Sequence, residues 1–243
     1  SRAKEARGRI VLFDVPFDQE LADNGQAGTA YGQATAYRRG GAAAAAKLGA
    51  MAALVRAIGG ANYRLTHTGQ IGYEEGVAKI PTAALTAEDS GLVARLAKRG
   101  SVTMKLVLTP QTLPDVDSFN VLGDLVGSEK PEEIVLISGH LDSWDLATGA
   151  TDDGAGVAAA MGVAHVLREL KLRPKRTLRV VAWMSEEQGI VGGKAYYEAF
   201  KGNVSKHAAV IESDFGAGKP LGLEAYATPA GVKNLIRHVK GIG

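Results

Sequence analysis

From Arg9 to Phe13 the chain reads RIVLF, a short β-branched run that predicts a strand. The Gly-, Asp- and Gln-rich stretch that follows, through residue 33, predicts a long loop. Between Gly41 and Gly59 the run GAAAAAKLGAMAALVRAIG combines strong helix formers with Leu48, Met51, Leu54, Val55 and Ile58 at three- and four-residue spacing. That spacing predicts a helix, closed by Gly59-Gly60. Residues 80–85 (IPTAAL), 86–99 (TAEDSGLVARLAKR, opened by Thr86 as a cap) and 102–108 (VTMKLVL) predict strand, helix and strand, a small α/β module. Two prolines in 109–117 (TPQTLPDVD) mark a linker and place a domain boundary near residue 115.

Beyond the boundary, strands and helices alternate. Residues 119–126, 134–138, 177–184 and 208–213 predict strands, with helices over about 154–170 and 190–200. The runs IVLIS and TLRVVAWM are nearly continuously apolar, as strands covered on both faces are, and the intervening helices suit parallel crossovers. The pattern predicts a three-layer α/β domain.

Composition narrows the function. With 46% hydrophobic and 22% charged residues in a chain of 243, a buried core is available. Twenty-eight Lys and Arg against 26 Asp and Glu leave a net charge of +2, too balanced for electrostatic nucleic-acid binding. Zero cysteines exclude disulfides, thiolate zinc sites and cysteine nucleophiles, so any metal must be held by His, Asp and Glu. No apolar stretch approaches the ~18 residues of a membrane span. The basic start, Ser1 to Arg9, leads into a strand instead of a signal-peptide core, and without an initiator Met the chain reads as processed or trimmed.

The candidate chemistry follows the strands. In an open α/β sheet, functional residues sit just beyond the strands' carboxyl ends. After 134–138 comes Gly139-His140-Leu141-Asp142; after 177–184, Ser185-Glu186-Glu187-Gln188; after 208–213, Asp214. Asp152-Asp153 lies in the glycine-rich loop GATDDGAG ahead of a helix. Carboxylates so gathered need cations to stay ionised together. Imidazole plus carboxylate without sulfur suits catalytic zinc, with manganese or cobalt tolerated. Two metals about 3.5–4 Å apart need a bridging carboxylate, for which Asp152 is the natural candidate. In the Glu186-Glu187 pair one residue binds metal while its neighbour faces the activated water as base.

The runs GHLDSWDLATGATDDGAG, RTLRVVAWMSEEQG and IESDFG, in that order, resemble the di-zinc exopeptidase family of carboxypeptidase Q. YRRGGAAAAAKLGAMAALVRAIG, KIPTAALTAED, DSFN and LRPKRTLR extend the resemblance over essentially the whole chain. The aminoacylase-type di-zinc peptidases share His-x-Asp and Glu-Glu, but the ATDDGAG loop fits them poorly. The resemblance implies a protease-associated domain at 1–115 and a mixed-sheet zinc exopeptidase domain at 116–243, truncated at both ends. It implies two Zn²⁺ ions: His140 and Asp214 on one, Glu187 on the other, and Asp152 bridging both. Glu186 is then the general base, Asp142 receives the second imidazole N–H of His140, and the Asp152–Asp153 peptide is cis. The reaction is hydrolysis of dipeptides or short peptides by a metal-bridging hydroxide. Implied partners are a short peptide substrate and, as one open alternative, a second copy in a homodimer, with no nucleic acid and no membrane. The implied location is periplasmic or secreted, with the signal segment upstream. The family's fifth protein ligand is a histidine far downstream of the last aspartate, and here 29 residues follow Asp214. The chain is therefore expected to be a fragment, inactive by itself, with that ligand beyond Gly243.

Other features carry blander expectations. His67, His165, His207 and His238 lack acidic neighbours at ligand spacing or fall on helices and strand starts. GAGKP at 216–220 lacks the spacing of a phosphate loop. Asn203-Val204-Ser205 matches a glycosylation acceptor, relevant only in a eukaryotic secretory route. Trp144 and Tyr226 suit either a substrate pocket or packing. The competing function is a non-catalytic peptide- or protein-binding module on a peptidase scaffold, against which the intact Glu186 argues.

Overall fold

A computed structural model of the chain describes residues 2–60, 63–214, 216–218 and 222–240. Phe215 of the IESDFG run and Lys219 and Pro220 of the GAGKP run lie outside them. The chain divides into two compact units. The first comprises Ser1–Phe119, Asp142–Thr148 and Met184–Glu198; the second, Asn120–Leu141, Gly149–Trp183 and Ala199–Gly243.

In the first unit β1 (Ile10–Phe13) is followed by α1 (Gln19–Leu21), α2 (Ala27–Lys47), β2 (Ala52–Arg56), β3 (Thr82–Leu85) and α3 (Ala87–Arg99). The three strands form a parallel sheet with β2 in the middle, Leu54 pairing with Leu12 on one side and Ala83 on the other. The 21-residue α2 buries Ala30, Ala34, Gly41, Ala42, Ala43 and Ala45, small residues that let a helix lie close to its neighbours. A Cβ at Gly41 would come within 2.9 Å of the Phe13 ring. Ala42, Ala45, Ala50 and Ala53 form the core, with Val11, Phe13, Tyr73 and Ile80 packed against them. Thr86 caps α3 as expected, its hydroxyl accepting the Asp89 N–H at 3.0 Å.

Three local expectations are corrected here. The stretch through residue 33 is largely helical, because Asp18 caps α1 and α2 begins at Ala27. The single helix expected over 41–59 is the end of α2 and then β2, separated by a reversal at Gly49 with φ 78°. Ala52 to Val55 are buried as the central strand, so pairing on two sides and burial outweigh a helix propensity that is only a weak prior. The strand expected at 102–108 has no regular structure.

The second unit contains β4 (Val121–Leu125), β5 (Lys130–His140), α4 (Ala155–Glu169), β6 (Arg176–Trp183), β7 (His207–Glu212) and α6 (Pro229–Val239), whereas α5 (Val191–Phe200) belongs to the first unit through Glu198. Its strands are ordered β4-β6-β5-β7, with β5, β6 and β7 parallel and β4 antiparallel to β6, the mixed α/β sheet anticipated from sequence. Helix α4 crosses from β5 to β6 and packs on both. Leu136, Leu178, Val181 and Trp183 are buried. Arg179 on β6 grips Asp124 on β4 through two bonds of 2.7 Å. The register pairs His140 with Trp183 and Ser138 with Glu212, so β5, β6 and β7 end together at one edge.

Candidate metal centre

Within the second unit the chain after β5 and β7 and the loop before α4 converge on one imidazole. His140 closes β5 with only 1% of its surface exposed. Its Nε2 lies 2.9 Å from an Asp152 oxygen and 3.3 Å from an Asp214 oxygen. The Ser213 N–H donates to the Ser138 carbonyl at 3.0 Å, carrying the β5–β7 pairing up to the residue before Asp214.

The loop ahead of α4 is a tight reversal. Gly149 adopts φ 67°, the Gly154 N–H donates to the Gly149 carbonyl at 2.7 Å, and the Asp152–Asp153 peptide is cis, as the family resemblance implies. The two aspartates have different surroundings. Asp152 reaches His140 Nε2 from an exposed position, whereas Asp153 is buried. One Asp153 oxygen accepts the His140 N–H at 2.9 Å and the other accepts the Gly156 N–H at 3.0 Å. Burial raises the Asp153 pKa above the usual carboxylate value, and these two N–H groups oppose the rise. Glycine is required on both sides of this carboxylate. A Cβ at Gly139 would lie 2.5 Å from an Asp153 oxygen, and one at Gly156 would overlap both Asp153 oxygens and the Ser213 carbonyl.

His140, Asp153 and Asp214 each place a ligand-type atom within 4.8 Å of the others. Both Asp153 oxygens are already engaged by main-chain N–H groups, so Asp152 and Asp214 are the carboxylates suited to a metal. Around a tetrahedral zinc with bonds of about 2.1 Å, ligand atoms are about 3.4 Å apart. The separations of 2.9 and 3.3 Å from His140 Nε2 are close to that spacing. The donor set fits zinc.

Within the first unit the other predicted residues form a second constellation. One Asp142 oxygen accepts the Glu186 N–H at 2.9 Å and the other accepts the Glu187 N–H at 3.2 Å. The glutamate turn is closed further by the Glu186 carbonyl, which accepts from Gly189 at 2.8 Å and Ile190 at 2.7 Å. Ser185 and Ile190 both have φ 59°, the left-handed conformation of a tightly wound segment. Sequence reasoning missed this use of Asp142, since 44 residues separate it from Glu186 and no local pattern signals such a bond. The direct hold of Asp153 on the His140 main chain likewise has no local signature.

The model of peptidase family M28 matches residues 120–241. Among curated proteins, carboxypeptidase Q of Rattus norvegicus is 46% identical over 224 residues, covering 92% of this chain and 45% of that protein. The Homo sapiens protein of the same name is 43% identical with the same coverage. The crystal structure of a peptidase M28 precursor from Shewanella amazonensis superposes with a TM-score of 0.85 at 36% identity, over 99% of this chain and 53% of that one. The chain thus spans about half the length of the relatives it matches.

Proposed function

The chain belongs to peptidase family M28, and from that premise we propose that the full-length protein is a zinc-dependent metallo-exopeptidase hydrolysing dipeptides or short peptides at a free terminus. The observation that carries this reading is the buried His140 imidazole, with the carboxylates of Asp152 and Asp214 at 2.9 and 3.3 Å from its Nε2. His140 and Asp214 are assigned to one zinc, Glu187 to a second, and Asp152 to both. Chain connectivity supports the assignment of Glu187, which follows Trp183 by four residues at the strand edge where His140 ends β5. Bound zinc supplies Lewis acidity toward the peptide carbonyl and lowers the pKa of water toward ~7.

The chain's own residues do the rest. Glu186 accepts the proton of the attacking water and returns it to the departing amine nitrogen, a role worth about 10² to 10⁴ in rate. Asp142 holds the main chain of Glu186 and Glu187, which sets where the base and its ligand neighbour begin. Two residues after His140, Asp142 is also assigned to the second imidazole N–H, the customary partner of a metal histidine. Asp153 anchors the His140 main chain and leaves Asp152 for the metals. Residues 1–115 are assigned to a protease-associated domain and 116–243 to the peptidase domain, in a periplasmic or secreted protein.

The test is zinc reconstitution of the full-length protein, with elemental analysis and a dipeptide assay. Two metal ions per chain and zinc-dependent hydrolysis are expected. Less than one ion per chain, or no hydrolysis of any dipeptide, overturns the reading.

A further inference from the structure

Between α1 and α2 the chain contains the step Asn24-Gly25, the one place in the sequence where glycine follows asparagine. Both residues are exposed. They also interrupt the helical path: Asn24 has φ −84° and ψ 15°, and Gly25 has φ 78° and ψ 13°. The left-handed value suits glycine, and nothing lies within 4 Å of where a Cβ on it would stand. Asparagine is a thermolabile residue. Here its side-chain amide stands in solvent beside a main-chain nitrogen that no side chain shields.

The same molecule holds a comparable step that is protected. Asp153-Gly154 also places a side-chain carbonyl carbon before a glycine nitrogen. There the carboxylate is buried, and its two oxygens accept the His140 and Gly156 N–H groups. The Gly154 N–H donates to the Gly149 carbonyl at 2.7 Å, so the nitrogen is engaged as well. The other asparagines are followed by bulkier residues: Asn62 by tyrosine, Asn120 and Asn203 by valine, and Asn234 by leucine within α6. Branched side chains crowd the following N–H, and a helix fixes the main chain around it.

We propose that Asn24 is a site of spontaneous deamidation. The Gly25 main-chain nitrogen attacks Asn24 Cγ and gives up its proton. A new C–N bond forms, the bond from Cγ to the side-chain nitrogen breaks, and ammonia leaves with that proton, closing a succinimide ring. Water then adds to one of the two imide carbonyls and breaks its bond to the ring nitrogen, which regains a proton. Opening at one carbonyl leaves an aspartyl residue; opening at the other leaves an isoaspartyl residue, whose main chain is longer by a methylene. Either product places a new carboxylate beside Asp23 and ahead of the amino end of α2, where negative charge is favourable. The cap residue of that helix, Gln26, supplies no side-chain bond of its own.

The experiment ages the folded full-length protein at mildly alkaline pH and reads every asparagine by peptide mapping with mass spectrometry. Isoaspartate is read in the same samples by enzymatic carboxyl methylation. Position 24 should show the amide-to-acid mass change before any other asparagine, with isoaspartate at 24 and none at the Asp153-Gly154 step. Denaturant should remove the protection of Asp153-Gly154, and Asn24→Gln should abolish the change at 24 in the folded protein. The free peptide ADNGQA sets the time scale. Position 24 unchanged once that peptide has been converted overturns the proposal, as does modification of another asparagine ahead of it.

Discussion

The Asp142 carboxylate accepts the Glu186 N–H at 2.9 Å across 44 residues of sequence. Its other oxygen accepts the next N–H, that of Glu187, at 3.2 Å. One side chain thus fixes two consecutive peptide units, so the position of the proposed base depends on a residue that need never touch substrate.

Replacing Asp142 by Asn turns one of these acceptors into a donor facing an N–H. The glutamate turn should loosen, and turnover of a dipeptide by the full-length enzyme should fall about 10- to 100-fold, the usual cost of losing a residue that orients the ligands. Steady-state kinetics check this; unchanged kcat would show that the turn holds without Asp142.

Glu186→Gln keeps the side chain's size and removes its capacity to accept a proton. A loss of about 10² to 10⁴ in kcat is expected, with metal content equal to wild type. Elemental analysis alongside the assay separates the two glutamates, because a fall in metal content would give Glu186 the ligand role assigned to Glu187.

Gly156 and Gly162 both lie on α4 and should respond in opposite ways to alanine. At Gly156 a Cβ meets the Ser213 carbonyl and both Asp153 oxygens, and the substitution should destabilise by about 3 kcal/mol or more. At Gly162 nothing lies within 4 Å, and alanine should stabilise the helix by about 0.5–1 kcal/mol. Denaturant unfolding of the two variants measures both; similar behaviour would mean that the contact between α4 and Asp153 is loose.

Chelation offers a fourth measurement. Zinc that binds only the folded protein stabilises it by about 4 kcal/mol at a thousandfold excess over Kd. Treating the full-length protein with a chelator should lower its melting temperature, and added zinc should restore it. An unaltered melting curve would argue against a metal held by His140, Asp152 and Asp214.

Much of this was legible in the chain because its signals are local. Apolar runs long enough to be strands ended within two residues of the ends of β5, β6 and β7, and His, Glu or Asp stands within two residues of the end of each run. Thr86 could be named as a cap because its acceptor role reaches only three residues ahead. Parallel strands separated by helices then required those chain ends to meet at one edge, which is where His140 and Asp214 come together.

What only the tertiary structure decided depends on residues far apart. The segment Ala52 to Val55 carries helix formers, yet it is a strand because β1 and β3 flank it, and neither neighbour is visible in its own sequence. Asp152 and Asp153 are identical in chemistry and adjacent, but two main-chain N–H groups claim the buried Asp153 and leave the exposed Asp152 facing His140. Hydrogen bonds from a side chain to remote backbone impose no periodicity and no spacing. They follow from three-dimensional proximity and from the cost of burying a polar group without a partner, which acts only once the chain has folded.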